Sequence, residues 1–424
     1  MTLTVLSDDQ IRDLLDNLSP DELVGFMNAL GNALYEFSTN KSSTAQQPER
    51  ISVDNAAVGT TTLFMPSCNS TGNSVKVITL TSPSSGVITT TGTSSSTTTP
   101  ATPQPQAQQH PTIPPTGATL LLSPTGSPLG LLHARTLTAF RTALASLSLV
   151  LLRLGQQDII AANPESKGGT WSYNPKRTIR AVVFGTGEQA YWHARLLLLA
   201  RGPVIHTVRF VGRSAAAEAG IIARFERLFR EGYAEREGWN GCYVRKFGTG
   251  VLGTWKGNEG RDGYLDMVLR EADVVFCCTP ATEPLFDASA VWRRGAAGEK
   301  GRLVVAIGSY KPEMREIPAG WVRRVVDEGL VIVDTVEGAS VEAGELIEAG
   351  VMKEQLVELG TLLKPKLNHF QRRLHEPWSG FSDCLAQGNV IYKSVGVGLM
   401  DLSVGMHLVE FAKQKGVGTH IPGF

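Results

Sequence analysis

From Val77 to Ala134 the chain has no Asp, Glu, Lys or Arg. Within that span "TTTGTSSSTTTPATPQPQAQQHPTIPPTG" is made almost wholly of Ser, Thr, Pro, Gln and Gly. Such a composition buries too little apolar surface to offset chain entropy, so residues 88–117 are expected to form a disordered insertion. Metal-type cysteine spacing is missing too. Cys68, Cys242, Cys277, Cys278 and Cys384 make no Cys-x-x-Cys pair and are odd in number, which argues against a zinc site and against a disulfide framework. Cys277 and Cys278, in the apolar run "ADVVFCCTP", read as buried structural thiols. There is no block of one charge: Lys plus Arg and Asp plus Glu are 40 each, so neither nucleic acid nor a membrane surface is expected as a partner. The run "ASLSLVLLRLG" reads as too short to span a bilayer and "MTLTVLSDDQ" lacks a signal-peptide layout, so the expected location is cytoplasmic.

What is present suits work on a small molecule. A chain of 424 residues is long enough for two or three domains. The N-terminus places Ile11, Leu14, Leu15 and Leu18 at helical spacing, and Ser19-Pro20-Asp21-Glu22 opens a second helix. Strand-like pieces follow in "RISVDN", "TTLFMPS" and "VKVITLT". "ATLLLSPTGSPLGLLHA" is a hairpin candidate turning at Pro124-Thr125-Gly126, and the helix "ARTLTAFRTALASLSLVLLRLG" comes next. From Thr178 apolar strands ("RAVVFG", "TVRFVG", "ADVVFCCT", "RLVVAIGS", "LVIVDT") alternate with helices, the pattern of a doubly wound parallel α/β sheet. The Gly-rich segment at 240–262 reads as a surface excursion.

Gly185-Thr186-Gly187-Glu188-Gln189-Ala190 is a Gly-x-Gly-x-x-Ala sequence between a strand and a helix, the setting of a dinucleotide-binding Rossmann loop. Gly185 would make the tight turn, Gly187 would let backbone N–H groups meet the pyrophosphate, and Ala190 would let the helix pack closely on the strand. The helix N-terminus would supply partial positive charge. At the end of the second strand, where a carboxylate would accept the ribose hydroxyls of NAD, stand Gly212-Arg213-Ser214. A guanidinium and a hydroxyl suit a 2′-phosphate, which favours NADP(H) and leaves NAD(H) possible if Arg213 is only a solvated strand-end arginine.

Six segments in order, "RTLTAFRTALAS", "FGTGEQAYWH", "ADVVFCCTPATEPLF", "IGSYKPEMREI", "VDTVEGASVEAGEL" and "IYKSVGVGLMDLSVG", resemble the ornithine cyclodeaminase/mu-crystallin family. The resemblance covers most of the chain outside the insertion and the Gly-rich excursion. It implies an N-terminal α+β domain for substrate binding and homodimerisation (1–150), a Rossmann NAD(P)-binding domain (151–396), and a C-terminal helix returning to the first domain (397–424). By the same resemblance Thr279, Lys393, Ser394, Val395 and Gly396 would line the cofactor. Arg50 and Arg141 would bind the substrate carboxylate with planar forks, Met65 would wall the pocket, and Lys76 would be the catalytic amine. Asp401 reads equally well as a site residue and as a first-turn acid of the last helix.

One position departs from the cyclodeaminase pattern. Aligning on Pro312 and Glu316 puts Tyr310 where those enzymes carry an aspartate, and a neutral phenol replaces neither a carboxylate base nor a counter-charge. This argues for the ketimine reductase branch: an NAD(P)H-dependent oxidoreductase that reduces a small imino acid or oxidises the matching amino acid. The alternatives are a cyclodeaminase-type ammonia lyase using NAD catalytically, with a carboxylate such as Glu313 reaching the site, and a non-catalytic NADPH-binding protein.

Overall fold

The computed structural model describes residues 2–39, 45–81, 115–161, 178–244, 259–291, 301–363 and 382–424. Fourteen strands form among them. The first six are β1 (Thr2–Leu6), β2 (Ile51–Asn55), β3 (Thr60–Asn69), β4 (Gly72–Thr81), β5 (Thr116–Leu122) and β6 (Pro128–His133). Next come β7 (Ile179–Phe184), β8 (Ile205–Val211), β9 (Val274–Cys277), β10 (Leu303–Ala306), β11 (Leu330–Val333), β12 (Leu356–Glu358) and β13 (Val390–Lys393), and the chain closes with β14 (Thr419–Pro422). They make two seven-stranded sheets, ordered β14-β1-β6-β5-β4-β3-β2 and β12-β11-β13-β10-β9-β7-β8.

In the first sheet only β1 and β6 run parallel; every other neighbouring pair is antiparallel. The period-2 alternation of β3 puts Leu63, Met65 and Ser67 on its buried face, in register with Ile78, Lys76 and Ser74 of β4. The helix Gly398–Lys415 lies against β3, β4, β5 and β6 and against the helix Pro20–Thr39. That second helix opens with reciprocal bonds between Ser19 and Glu22, the capping box legible in the sequence.

The second sheet is parallel throughout. Its strands read as unbroken apolar runs because both faces are covered. Ala181 and Val183 of β7 join one hydrophobic cluster while Val182 and Phe184 join another, and Val304 and Val305 of β10 divide in the same way. The chain leaves β7 for β8 on one side and returns to β9 on the other, so the sheet has a switch point between β7 and β9, where the strands' carboxyl ends open a crevice. One cluster continues from Leu6 and Phe26 through the helix Ala134–Ala161 and the helix Glu188–Arg201 into the second sheet, so the two halves share apolar core.

Several expectations change here. The segment Ala134–Gly155 is long and apolar enough to cross a membrane by composition, contrary to the sequence reading, and it is almost entirely buried between the sheets. Strands β1, β12 and β14 went unrecognised: β1 and β14 pair only with each other and β6, a long-range contact with no local signal. Of the proposed insertion, 88–114 lies outside the described residues, and Thr116 and Gly117 already belong to β5. Most of the Gly-rich excursion, 245–258, also lies outside them.

Candidate functional site

Lys76 enters on β4, opposite Met65 of β3 and Thr119 of β5, and is almost wholly buried. Its ammonium donates to Asp401 Oδ2 at 3.0 Å, and Arg141 Nε lies 3.4 Å from the same oxygen. Asp401 stands in the first turn of the helix Gly398–Lys415 with no exposed surface, and its Oδ1 has no hydrogen-bond partner among the described residues. Three sequence-distant elements thus bring two cations onto one carboxylate. Burial pulls the Lys76 pKa down to about 8, Asp401 opposing and the Arg141 and Arg50 guanidinium groups assisting. Arg141 places its fork beside Gly396, and Met65 is buried in the same wall.

Arg50 reaches the second sheet. Its guanidinium bonds Glu342 Oε2 at 2.5 Å and the Val395 carbonyl at 3.3 Å, joining the segment before β2 to the helix Val336–Glu342 and to the turn after β13. Tyr310, on the loop after β10, is half-buried; burial raises its phenol pKa against the pull of Arg50, so the group is neutral. Glu313, the acid considered as a substitute, is exposed.

The turn 394–396 is organised by Asp334, fully buried at the end of β11. It accepts from Ser394 Oγ at 2.7 Å, from Val395 N at 3.3 Å and from Gly396 N at 2.7 Å. Lys393 points away from this turn, to the Ser309 carbonyl at 2.5 Å and to Glu345 at 3.3 Å. Glu316 ties the ends of β9 and β10 together, accepting from Thr279 N at 2.7 Å, Thr279 Oγ1 at 3.1 Å and Gly308 N at 2.6 Å; burial lifts its carboxyl to about 7. Sequence reasoning missed Asp334, Glu316 and Glu342. All three stand in quoted motif segments, but nothing local marks an acid as one that folds inward.

At the glycine loop, Gly185 takes φ +109°, and a Cβ there would fall 2.8 Å from the Cys278 carbonyl. Gly187 is the N-cap of the helix Glu188–Arg201 with no side chain capping it and open space where a Cβ would project. Uncapped N–H groups facing a glycine-walled opening at the switch point fit a pyrophosphate. Ala190 is buried against the sheet, and Thr186 lies against Gly212. Side chains nearby have other partners. Glu188 is held by Arg12 and Arg224, both at 3.0 Å, while Gln189 meets His193 through its backbone carbonyl only. Ser214 caps the following helix through Ala217 N, while Arg213 is exposed. A carboxylate does approach the second strand's end from Glu218, but one of its oxygens is spent on Gly212 N at 2.8 Å in the interior.

Fold and crevice together define a Rossmann-type protein with an accessory α+β half. No protein-family model matches the chain. It is similar to a Delta(1)-pyrroline-2-carboxylate reductase of Bacillus thuringiensis subsp. konkukian, 26% identical over 303 residues, 70% of this chain and 71% of that protein. An uncharacterized cyclodeaminase of Dictyostelium discoideum is 25% identical over 246 residues, 56% of this chain and 60% of that one. The structure of the Thermococcus litoralis Delta(1)-pyrroline-2-carboxylate reductase in complex with NADH and L-proline superposes with a TM-score of 0.62 at 19% identity, covering 98% of this chain and 99% of that chain. These similarities support the resemblance to the ornithine cyclodeaminase/mu-crystallin family.

The charge cluster makes a direct prediction. Because Asp401 holds the Lys76 pKa up against burial, Asp401→Asn lowers its titration midpoint below the native value of about 8. Carbon-13 NMR of reductively methylated lysines reads this; a midpoint unchanged or raised would contradict the pairing.

Proposed function

We propose that this protein is an NAD(P)H-dependent reductase of a small imino acid, or runs the same reaction backwards on the matching amino acid. The observation that carries the reading is the Lys76 ammonium, buried on Asp401 with its pKa drawn to about 8, close enough to neutrality to give up and regain a proton. The named reductases among the relatives support it.

When bound, the dinucleotide supplies or accepts the hydride. Gly185, Gly187 and the helix N-terminus would hold its pyrophosphate, with Ser394, Val395 and Gly396 at the nicotinamide end, kept in place by Asp334. Arg141 turns its fork toward Gly396 and would pair with the substrate carboxylate, Arg50 assisting. Fixing that carboxylate orients the C=N group, and orientation supplies much of the rate. Lys76 gives a proton from Nζ to the imine nitrogen, and Asp401 keeps the ammonium aimed and charged. Tyr310, being neutral, does not act as base for expulsion of ammonia, and the exposed Glu313 does not replace the missing carboxylate. This favours reduction over cyclodeamination. Turnover separates it from a protein that only binds NADPH.

NADP(H) is the proposed cofactor, from Arg213 at the open end of β8. We also propose a homodimer formed through the outer face of the first sheet, where Phe64, Val75, Val77, Leu120 and Leu122 are only half-buried. A monomer in multi-angle light scattering would refute this.

The purified protein, given NADPH and a panel of cyclic and linear imino acids, is expected to consume NADPH. Ammonia release from ornithine with catalytic NAD and no net cofactor change would reverse the reading. Lys76→Ala is expected to cut kcat by about 100-fold or more while leaving NADPH binding within about twofold. Reduction needs the charged amine, so kcat/KM falls as pH rises through about 8, and the oxidation direction rises over the same interval. Arg213→Ala is expected to weaken NADPH by about tenfold and NADH hardly at all; equal losses would remove the 2′-phosphate assignment.

A further inference from the structure

Arg50, read as a substrate-carboxylate anchor, already holds a carboxylate. Its partner Glu342 comes from the other half of the molecule, lies 2.5 Å away, and sits beside the turn 394–396 because Arg50 also bonds the Val395 carbonyl. Neither side chain is on open surface: Arg50 is 19% exposed and Glu342 23%. Burial, Asp334 and Glu49 push the Glu342 carboxyl upward, and the Arg50 guanidinium opposes them. The cations here already have carboxylates: Lys76 and Arg141 share Asp401, and Arg50 has Glu342. Arg141, which meets Asp401 through Nε, turns its Nη atoms toward Gly396, where one substrate carboxylate can pair with them. A second would meet Glu342, with Asp334 behind it, where both side chains are mostly buried and solvent screens the repulsion only in part.

We infer that Glu342 is a specificity-determining residue that restricts this site to imino or amino acids bearing a single carboxylate, by occupying the Arg50 position a second carboxylate would need. The inference rests on the reductase reading for the word "imino", but its charge rule concerns binding and is tested without turnover. Specificity of this kind comes from repulsion of the wrong ligand as much as attraction of the right one.

The test uses the full chain with saturating NADPH and two planar, unreactive probes, pyrrole-2-carboxylate and pyrrole-2,5-dicarboxylate, titrated by calorimetry. The native protein is expected to bind the monocarboxylate at least about tenfold more tightly. Glu342→Gln should bring the two within about threefold by strengthening the dicarboxylate, and Glu342→Asp should keep the native preference. Equal binding of both probes by the native protein, no binding of the monocarboxylate, or parallel losses for both probes in Glu342→Gln would overturn the assignment. Native discrimination lost in Glu342→Gln, in a protein that reduces no imino acid on the panel, would uphold the charge rule while removing the reductase reading.

Discussion

A lysine ammonium does not enter a protein interior alone; the desolvation cost drives it to neutrality unless an anion meets it there. Lys76 is taken in on the buried face of β4, and Asp401 meets it from a helix more than 300 positions later in the chain. Much of the architecture can be read as what that meeting requires. The β3/β4 register must put position 76 inward, the C-terminal helix must come back across the first sheet after the second is complete, and Arg141 must be presented by the long helix between them. A slip of one residue in β4 would turn Lys76 to the opposite face and leave the buried Asp401 with Arg141 as its remaining cation.

The same construction explains why two sheets of different topology behave as one body. The helices Ala134–Ala161 and Glu188–Arg201 carry apolar core from one half to the other. Around that seam the polar links are specific: Tyr191 OH donates to Asp16 at 2.6 Å, and Arg195, fully buried, pairs with Glu237 at 2.6 Å and bonds the Asp16 carbonyl at 2.8 Å. A hydrophobic seam gives area without direction. These directional polar contacts constrain the angle between the halves, which decides whether the Lys76 cluster faces the turn after β13.

Much of the fold was legible in the sequence because it rests on local periodicity. The doubly covered strands, the hairpin turning at Pro124-Thr125-Gly126 and the capping box at Ser19 each declare themselves within a few residues. Strands β1 and β14 did not, since their pairing depends only on chain ends meeting. For the site, Lys76, Arg50 and Arg141 stood out as cations in patterned segments. Asp401 stayed ambiguous because a first-turn acid has a sufficient local explanation. Asp334, Glu316 and Glu342 were invisible as functional groups because an inward carboxylate is defined by the donors that surround it, and those donors come from the loops after β9, β10 and β13 and from the segment before β2.

The glycine loop shows the opposite economy. A pyrophosphate is recognised by main-chain N–H groups and a helix end, so the recognition depends on conformation and leaves nearby side chains open to other uses. Here those uses are structural: Glu188 joins Arg12 of the first helix to Arg224 beyond β8, Thr279 is bound to Glu316, and Ser214 caps its helix. Glu188 is the sharpest case. A carboxylate at the mouth of an anion site would repel the ligand if it were free, and pairing with two guanidinium groups neutralises it while fastening the loop to the N-terminal half. Motif spacing therefore locates such a loop correctly and still misstates what its side chains do, because the motif encodes the backbone alone.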